Sequence, residues 1–464
     1  MRHLFERAQD AFYGEPFPSY GQRMQRLQKL LDLVRNHQDR IAQSVSQDFG
    51  NRSQHETRLA EIFTLISSIK YMRKHLRSWM KPRPRQVGPA FQPGRARVQF
   101  QPLGVVGVIA PWNYPVNLAL EPVASALAAG NRVLLKPSEL TPHTAELLEE
   151  LLAQAFDSNL VSVITGGPEI ARAFSELPFD HLLYTGSTRV GKLVMEAAAK
   201  NLTPVTLELG GKSPAIIHPS YAPAKAAQRI AAGKWFNAGQ TCVAPDYVLV
   251  HSAQRDALVA ALVAAVSGYY PSLEHNPDYT SVINAAHVQR LHDYIDDAES
   301  KGARAIQINP AAETFAPDSR KFPPTLLIDV KPEMKVMQEE IFGPVLAVVS
   351  YDVFEDALHF VRERPRPLAL YYFDSDSDRI DQLLDRTLAG GVCVNETNFH
   401  FGVDDLPFGG VGASGMGRYH GPEGFATFSH AKAVFIQSRW SGSALIAPPY
   451  GAKIERLLKL FMRL

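Results

Sequence analysis

Apolar residues recur every three or four positions through the first eighty residues, and this spacing predicts long amphipathic helices. One predicted helix has an apolar face formed by Leu27, Leu30, Leu31 and Val34. A later one has an apolar face formed by Leu59, Ile62, Leu65 and Ile69. A basic, proline-marked segment follows at residues 81–101. Proline disfavours helix at its own position and at the one before it, so we expect an extended arm here.

From Gly104 the pattern changes to short apolar runs that alternate with helical segments. Strands are predicted at residues 105–110, 132–136, 161–164, 181–185 and 204–209, and helices at residues 118–129, 144–156 and 190–199. A second alternating region extends over residues 213–413. Repeated strand, helix and strand predict an α/β fold, with parallel sheets that are covered by helices on both faces.

Composition narrows the class of protein further. The 464 residues are enough for two or three packed units. Lysine and arginine number 48 against 47 acidic residues, so no strong field is available for nucleic acid or an anionic membrane. Two cysteines exclude a disulfide scaffold and suggest a reducing compartment. With no secretory signal and no apolar run approaching about 20 residues, we expect a cytoplasmic protein without an integral membrane span.

The last residues, 454–464, form a short basic amphipathic segment. We expect a helix that packs its apolar side on the body of the protein. A lid or a weak contact with a membrane surface is the alternative.

The two cysteines differ in their surroundings. Cys242 lies between glycine, polar residues and proline, so we expect it in a loop or at a helix start. There, neighbouring N–H dipoles would favour the thiolate. Cys393 lies in an apolar strand run and is better explained as a small buried residue. The histidines are scattered, so the sequence predicts neither a metal site nor a cysteine–histidine pair.

Two further polar residues are candidates for chemistry. Glu208 ends an apolar strand just before two glycines, and apolar surroundings raise the proton affinity of a carboxylate toward that of a general base. Asn113 follows a buried strand in Pro111-Trp-Asn-Tyr-Pro115, where a rigid amide can donate to a developing oxyanion. The alternatives are a strand-end carboxylate bonded to loop N–H groups and a turn asparagine that caps its own backbone.

A dinucleotide site is indicated by two segments that follow predicted strands. The turn from Gly186 to Gly191 offers free N–H groups at a helix start, although it lacks the middle glycine of the usual fingerprint. Lys136 and Glu139 follow another strand, at the edge where such sheets bind ligands, and both can bond to ribose hydroxyls. An ordinary strand-to-helix turn and an ordinary polar loop are the alternatives.

Seven motifs in order make the chain resemble the aldehyde dehydrogenase superfamily. They are Pro111-Trp-Asn-Tyr-Pro115, Lys136-Pro-Ser-Glu139, Thr185-Gly-Ser-Thr188, Leu207-Glu-Leu-Gly-Gly-Lys212, Gly239-Gln-Thr-Cys242, Glu339-Glu-Ile-Phe-Gly-Pro344 and Pro407-Phe-Gly-Gly410. The resemblance covers nearly the whole chain, and in this family the missing middle glycine is normal.

The resemblance implies specific roles. Cys242 would be the nucleophile, Glu208 the base and Asn113 an oxyanion donor. The implied cofactor residues are Lys136 and Glu139 at the adenosine ribose, Thr185, Gly186, Ser187 and Gly191 at the pyrophosphate, Glu340 at the nicotinamide ribose, Phe342 and Trp112. Candidate walls for the aldehyde are Tyr114, Trp235, Phe399 and Phe401, with plain core packing as the alternative for each.

Finer features are similar to the class 3 branch, and residues 48–57 look most like bacterial coniferyl aldehyde dehydrogenases. The branch implies a homodimer. It also implies an NAD(P)-binding domain at residues 1–80 and 102–208 and a catalytic domain at residues 209–413. Residues 81–101 and 414–464 would form a β oligomerisation arm and a C-terminal tail.

The expected reaction is the oxidation of an aldehyde to a carboxylic acid with NAD, or with NADP, through a thiohemiacetal and a thioester on Cys242. Coniferaldehyde or another aromatic aldehyde is the first candidate substrate, and a medium- or long-chain aliphatic aldehyde is the alternative. Glu208 argues against transfer of the thioester to coenzyme A. The joint presence of Cys242, Glu208 and Asn113 argues against a non-catalytic protein.

Overall fold

The computed structural model describes residues 1–441 and 447–462. The helices are α1 (Arg2–Gly14), α2 (Tyr20–Asn36), α3 (Gln38–Phe49), α4 (Gln54–Thr57), α5 (Thr64–Trp79), α6 (Asn117–Ala129), α7 (Pro142–Ala155), α8 (Pro168–Ser175), α9 (Thr188–Ala199), α10 (Pro223–Trp235), α11 (Arg255–Tyr269), α12 (Ala285–Ser300), α13 (Lys335–Gln338), α14 (Phe354–Arg362), α15 (Ser377–Arg386), α16 (Gly421–Thr427) and α17 (Ala452–Phe461). A π-helical turn, Arg58–Phe63, joins α4 to α5.

The strands form three sheets. They are β1 (Arg83–Arg85), β2 (Arg95–Pro102), β3 (Val105–Ile109), β4 (Arg132–Lys136), β5 (Val161–Val163), β6 (His181–Gly186), β7 (Val205–Leu209), β8 (Pro214–Ile217), β9 (Tyr247–His251), β10 (Arg304–Gln307), β11 (Thr325–Ile328), β12 (Val345–Tyr351), β13 (Ala369–Phe373), β14 (Gly391–Val394), β15 (Gly415–Met416) and β16 (Ser429–Ile436).

The N-terminal helices follow the predicted apolar pattern with one exception. Ser19 caps α2 by accepting a hydrogen bond from the Gln22 N–H, and the apolar face of that helix is buried. Ile62 and Leu65 are buried as expected, but Leu59 is 59% exposed. The π-helical turn is the reason, because its wider winding breaks the 3.6-residue period that placed Leu59 on the same face.

The first large sheet has the strand order β15-β7-β6-β3-β4-β5. All pairs are parallel except the short edge strand β15, which runs antiparallel to β7 and places Gly415 opposite Glu208. Strands β3 and β4 are fully buried along their length, as helices cover both faces. The carboxyl ends of β3, β4, β6 and β7 therefore lie at one edge, where a doubly wound sheet binds its ligands.

The second large sheet has the order β10-β11-β12-β9-β8-β13-β14 and is parallel except for β10. The chain passes to it from the first sheet between β7 and β8, directly after Glu208. The α/β fold predicted from the alternating pattern is confirmed. Cys393 lies in β14, as expected, but it is partly rather than fully buried.

The third sheet is a small antiparallel one, in which β2 pairs with β1 and with β16. Most of β16 is exposed, including Phe435 and Ile436. The predicted C-terminal helix is present as α17, but it does not bury its apolar side on this chain, because Leu458 and Leu460 are about half exposed. Residues 442–446 and 463–464 of the predicted tail lie outside the described residues.

The predicted domain boundaries stay an interpretation of the chain. The strands of the first sheet come from residues 105–209 and from β15, and those of the second sheet come from residues 214–394. Strand β15 falls within the segment that was predicted as arm and tail, although it pairs with β7.

Candidate active site

Cys242 lies in a tightly held loop after α10. The turn Phe236–Gly239 contains Asn237 and Ala238 with φ near +50°, a conformation that asparagine tolerates and alanine disfavours. The buried Gln240 side chain donates to the carbonyls of Asn237 and Ser281, and its own oxygen accepts from the Ile283 N–H at 2.9 Å. These bonds fix the backbone two residues before the thiol.

The thiol of Cys242 does not have the depressed proton affinity that its loop position suggested. Burial, together with the carboxyl groups of Glu340 and Glu208, raises the pKa of Cys242 to about 12. Hydrogen bonds from the N–H groups of Cys242 and Val243 act in the expected direction but are outweighed. In this state the thiol is neutral at pH 7 and needs a proton acceptor before it can act as a nucleophile.

Glu208 has the environment of a strong proton acceptor. It lies in β7, is 3% exposed, and neither carboxyl oxygen accepts a hydrogen bond from any described residue. Burial raises its pKa well above the usual value for a glutamate. Unpaired buried carboxyl groups are costly and therefore concentrate at functional sites.

Asn113 is fixed at both its main chain and its side chain. Its carbonyl accepts from Arg52 Nη1 at 2.9 Å and from Asn237 Nδ2 at 3.1 Å. Its own Nδ2 donates to the Gln240 carbonyl at 3.1 Å, which leaves the second amide hydrogen for another acceptor. The predicted oxyanion donor is thus tied to the loop that carries Cys242.

An apolar cavity of about 520 Å³ reaches Cys242. Tyr114, Phe399 and Phe401 line it as predicted, and the Tyr114 hydroxyl bonds to Thr241 Oγ1 at 2.7 Å. Trp235 is not a wall of this cavity. Its side chain is fully buried in the core and its Nε1 donates to the Pro344 carbonyl, so the prediction of a substrate contact was wrong.

Several further residues of the cavity were not singled out from the sequence. They are Leu59, Ala60, Thr64, Leu118, Ala232, Gly233, Phe236, Thr241, Val243, Glu396, Thr397, Asn398, Gly402 and Val403. The π-helical turn turns Leu59 out of the core and into this wall. The pattern of apolar residues does not reveal a π-helical turn, so the position of Leu59 in the wall could not be predicted. Phe399 and Phe401 could be predicted as wall residues because they are aromatic.

A second, more polar cleft of about 570 Å³ is lined by Glu340 and Gly210. The Glu340 carboxylate packs directly on Gly210, where a Cβ would overlap it. Burial and the nearby Asp246 raise the pKa of Glu340 to about 8. Trp112 and Phe342 lie edge to face with their ring centres 5.3 Å apart, so these two predicted cofactor residues are neighbours.

The turns after β4 and β6 hold the remaining predicted cofactor residues. Lys136 is buried and its Nζ bonds to Glu139 Oε2 at 3.1 Å, while the Glu139 side chain is 40% exposed. Thr185 Oγ1 is buried without a hydrogen-bond partner among the described residues. The residues around it, Gly186, Ser187 and Gly191, form the turn and the first part of α9.

Ser187 and Gly191 have structural contacts of their own. Ser187 caps α9 by accepting from the Val190 N–H. A Cβ on Gly191 would collide with Leu209, so this glycine allows α9 to approach β7 closely. Close packing of the helix on the sheet brings its N-terminus to the edge where Thr185 lies.

Sequence reasoning missed a buried group of charges between α3 and α5. Arg52 and Glu61 form an ion pair at 2.9 Å with both side chains fully buried. Glu56 accepts from the Asn237 N–H and from Thr280 Oγ1, and burial raises its pKa to about 7. The sequence offered one indication of this group, because charged residues occur beside the apolar positions of a helix that was predicted to pack in the core.

Two absences hold for residues 1–441 and 447–462. No described helix is both long enough and apolar enough to cross a membrane. Over the same residues, no three histidine, cysteine, aspartate or glutamate side chains are grouped so that they could hold a metal ion.

The doubly wound sheet, the polar cleft at its edge and the cysteine at the end of an apolar cavity are typical of a nucleotide-dependent enzyme of the α/β class. The particular family follows from comparison. The aldehyde dehydrogenase family matches residues 1–434, and the chain belongs to this family. It is an oxidoreductase that acts on an aldehyde with NAD or NADP.

Relatives agree with the class 3 resemblance. A "Probable coniferyl aldehyde dehydrogenase" of Pseudomonas aeruginosa is 52% identical over 464 residues, which cover 100% of this chain and 96% of that protein. The "Aldehyde dehydrogenase family 3 member A2" of Rattus norvegicus is 42% identical over 89% of this chain and 84% of its own length. Among solved structures, substrate-bound AldH of Staphylococcus aureus has a TM-score of 0.93 at 37% identity and covers 99% of each chain.

Proposed function

We propose that this enzyme oxidises aromatic aldehydes of the coniferaldehyde type to carboxylic acids, with Cys242 as the nucleophile. The observation that carries the proposal is the apolar cavity that reaches Cys242 between the aromatic side chains of Tyr114, Phe399 and Phe401. Flat aromatic substrates suit such walls because stacked and edge-to-face ring contacts add to the free energy of apolar burial. The names of the relatives that are about 50% identical support the same substrate class.

The first chemical step is attack of the Cys242 sulfur on the aldehyde carbon, which forms a thiohemiacetal. Because burial holds the thiol protonated, its proton must leave before or during this attack. The free amide hydrogen of Asn113 and the Cys242 N–H stabilise the oxygen that becomes negative. These donors act most strongly on the transition state, so they raise kcat.

The second half of the reaction is hydrolysis of the thioester on Cys242. Glu208 has no hydrogen-bond partner among the described residues and a raised pKa, which suits a carboxylate that must take a proton from water. The deprotonated water attacks the acyl carbon, the carbon–sulfur bond breaks, and the acid leaves. Retention of this carboxyl group argues against an enzyme that waits for coenzyme A.

The residues of the polar cleft fit a dinucleotide. The unpartnered Thr185 hydroxyl near the end of β6 provides a hydrogen-bond donor, and Gly210 allows the Glu340 carboxylate to lie against the backbone. Lys136 and Glu139 would bind ribose hydroxyls, and Glu340 would bind those of the second ribose. When bound, the nicotinamide ring supplies the hydride acceptor of the oxidation.

We infer a preference for NAD over NADP from Glu139. Its half-exposed carboxylate would repel a 2′-phosphate, and Lys136, the nearest cation on that turn, is already paired with it. The opposite preference requires that Lys136 leave this ion pair to meet the phosphate.

A medium- or long-chain aliphatic aldehyde is the second candidate substrate. The cavity wall is almost wholly apolar, and an aliphatic chain fits such a wall as well as a ring does. A "4,4'-diaponeurosporen-aldehyde dehydrogenase" of Staphylococcus aureus, 39% identical over 95% of this chain, supports it.

We also propose a homodimer in a reducing cytoplasm. The exposed apolar residues of β16 and α17 support a second copy as their cover, because exposed apolar surface of this kind marks interaction sites. A reducing compartment is supported by the chemistry, because oxidation of Cys242 would stop catalysis.

The proposed activity is tested by following NADH formation without coenzyme A. Coniferaldehyde, benzaldehyde, hexanal and dodecanal are compared, each with NAD and with NADP. The proposal predicts the highest kcat/KM for coniferaldehyde with NAD. A higher kcat/KM for dodecanal would show that aliphatic aldehydes are the preferred substrates. No turnover with any of the four aldehydes would refute aldehyde oxidation by this site.

A further inference from the structure

We propose that Arg52 is a positioning residue that sets the oxyanion donor Asn113 by holding its main-chain carbonyl. A single nitrogen of Arg52, Nη1, donates both to that carbonyl and to Glu61 Oε1, each at 2.9 Å. The proposal rests on the role given to Asn113 under the proposed function. Arg52 does not itself line the cavity that reaches Cys242, so we infer that its effect on the reaction is exerted through Asn113.

The anchor for this contact is the start of helix α6. Glu61 Oε2 accepts hydrogen bonds from the N–H groups of Val116 and Asn117 at 2.7 and 3.1 Å. A carboxylate at a helix N-terminus is favoured by the helix dipole, so Glu61 is firmly placed. The chain from Glu61 through Arg52 to Asn113 therefore fixes the donor against a rigid helix.

The side chain of Asn113 is held by the same network. Asn237 Nδ2 donates to both the Asn113 carbonyl and the Gln240 carbonyl, and Asn113 Nδ2 donates to the Gln240 carbonyl as well. Loss of the Arg52 contact leaves Asn237 as the remaining described donor to the Asn113 carbonyl. The peptide plane could then tilt and carry the amide away from the oxyanion position.

The energetics of Arg52 favour a role in function over a role in stability. Both members of the Arg52–Glu61 pair are fully buried, and a buried ion pair is often no more stabilising than apolar residues of the same volume. Arg52 Nε and Nη2 have no hydrogen-bond partner among the described residues. The guanidinium lies instead over the rings of Tyr114 at 4.7 Å and Phe49 at 5.2 Å.

The guanidinium also contacts a wall of the cavity, because Tyr114 lines it. The ring is fixed from one side by Arg52 and at its hydroxyl by Thr241. One arginine thus contacts both Asn113 and the residue that follows it in the chain. Lysine cannot replace it, because an ammonium group lacks the planar shape that stacks on a ring while one nitrogen bridges two oxygens.

The test is a double-mutant cycle on kcat/KM for coniferaldehyde with NAD, using R52K, N113A and R52K/N113A. We expect R52K to lower kcat and kcat/KM together by about tenfold to a hundredfold with little change in KM, since transition-state contacts are weakened. In the N113A background, R52K should change kcat/KM by less than about twofold, because the donor that Arg52 positions is absent. E61Q, which weakens the anchor, should show the same dependence on Asn113.

R58K is the matched control, because Arg58 pairs with Asp39 at the surface at 2.9 Å and lies six positions along the same segment. It should leave kcat/KM unchanged. An equal loss from R52K with and without Asn113 would mean that Arg52 acts on folding or elsewhere in the site, and would overturn the proposal. A wild-type kcat/KM in R52K would also overturn the proposal.

The cycle also separates this inference from the proposed function. If N113A keeps wild-type kcat/KM, the role of Asn113 as oxyanion donor fails, and the role of Arg52 fails with it. If N113A is impaired but the effects of R52K and N113A multiply independently, the role of Asn113 stands and the positioning role alone is wrong.

Discussion

At the scale of single residues, the chemistry that we propose rests on Cys242 and Glu208, and the surroundings of Cys242 distinguish it from Cys393. Cys242 faces the apolar cavity, while Cys393 is partly buried in β14. Glu208 is buried without a partner in the described chain, a state that destabilises the fold when the group is charged. The carboxyl group that we propose for catalysis at position 208 therefore lowers the stability of the fold when it is charged.

Replacement of each cysteine gives a matched pair of variants. We expect Cys242→Ala to lower aldehyde oxidation below about 10⁻³ of the wild-type rate, because no nucleophile remains. Cys393→Ala should keep activity within about twofold, since it removes a packing atom. The measurement is the steady-state rate of NADH formation, and substantial activity in Cys242→Ala would refute the nucleophile assignment.

Glu208→Gln should stabilise the protein increasingly as the pH rises. The folded pKa of Glu208 lies above its unfolded value, so the fold favours the neutral acid. The wild-type protein therefore loses stability as the pH rises above the ordinary glutamate range, and the glutamine variant does not. Urea unfolding should show the difference in the free energy of unfolding between the two proteins growing from pH 5 to pH 8. A constant difference would contradict the raised pKa.

At the scale of elements, the wall of the cavity is built from a π-helical turn, a helix and a loop that come from distant parts of the chain. The turn Arg58–Phe63 provides Leu59, and the loop after β14 provides Phe399 and Phe401. Helix α10 contributes small residues to the wall but directs Trp235 into the core. Aromatic type alone could not distinguish these two placements.

Phe401→Ala should therefore change substrate binding, whereas Trp235→Phe should change the stability of the fold. Phe401→Ala is expected to raise the KM for coniferaldehyde about tenfold and to leave that for acetaldehyde little changed, because the small aldehyde does not reach the wall. Trp235→Phe removes the hydrogen bond to Pro344 and should lower the free energy of unfolding by roughly 1–3 kcal/mol without changing the ratio of the two KM values. A shift in this ratio for Trp235→Phe would restore it as a substrate contact.

The sequence was informative where one pattern determined one outcome. Strand β4 occupies the predicted residues 132–136, since a short apolar run in a parallel sheet must be buried on both faces. Leu59 and Trp235 were misplaced because apolar periodicity does not report a π-helical turn or the direction of a single side chain. Arg52 and Glu61 were missed because charged residues in a helical region are usually solvated, and their pairing depends on tertiary contacts.

At the scale of the whole molecule, the chain forms two large sheets and a small exposed antiparallel sheet. Glu208 lies in β7, just before the chain passes from the first large sheet to the second at β8. The arm and α17 leave apolar residues exposed on this chain, among them Phe435, Leu458 and Leu460. We therefore propose that a second copy of the chain covers them.

Charge introduced on this arm should dissociate the dimer. We expect Phe435→Glu to shift the sedimentation coefficient from that of a dimer to that of a monomer, because a buried unpaired carboxylate is costly. Leu202→Glu is the control, since Leu202 is 90% exposed and lies outside the arm. A wild-type protein that sediments as a monomer at micromolar concentration would contradict the dimer directly.

The central claim is that Cys242 forms a thioester that Glu208 hydrolyses, and one rapid-mixing experiment tests it most directly. Glu208→Gln is mixed with coniferaldehyde and NAD, without coenzyme A, while NADH is followed. We predict a burst of about one NADH per active site and then a steady rate at least about 10²-fold below that of the wild type. A steady rate equal to that of the wild type would contradict the claim.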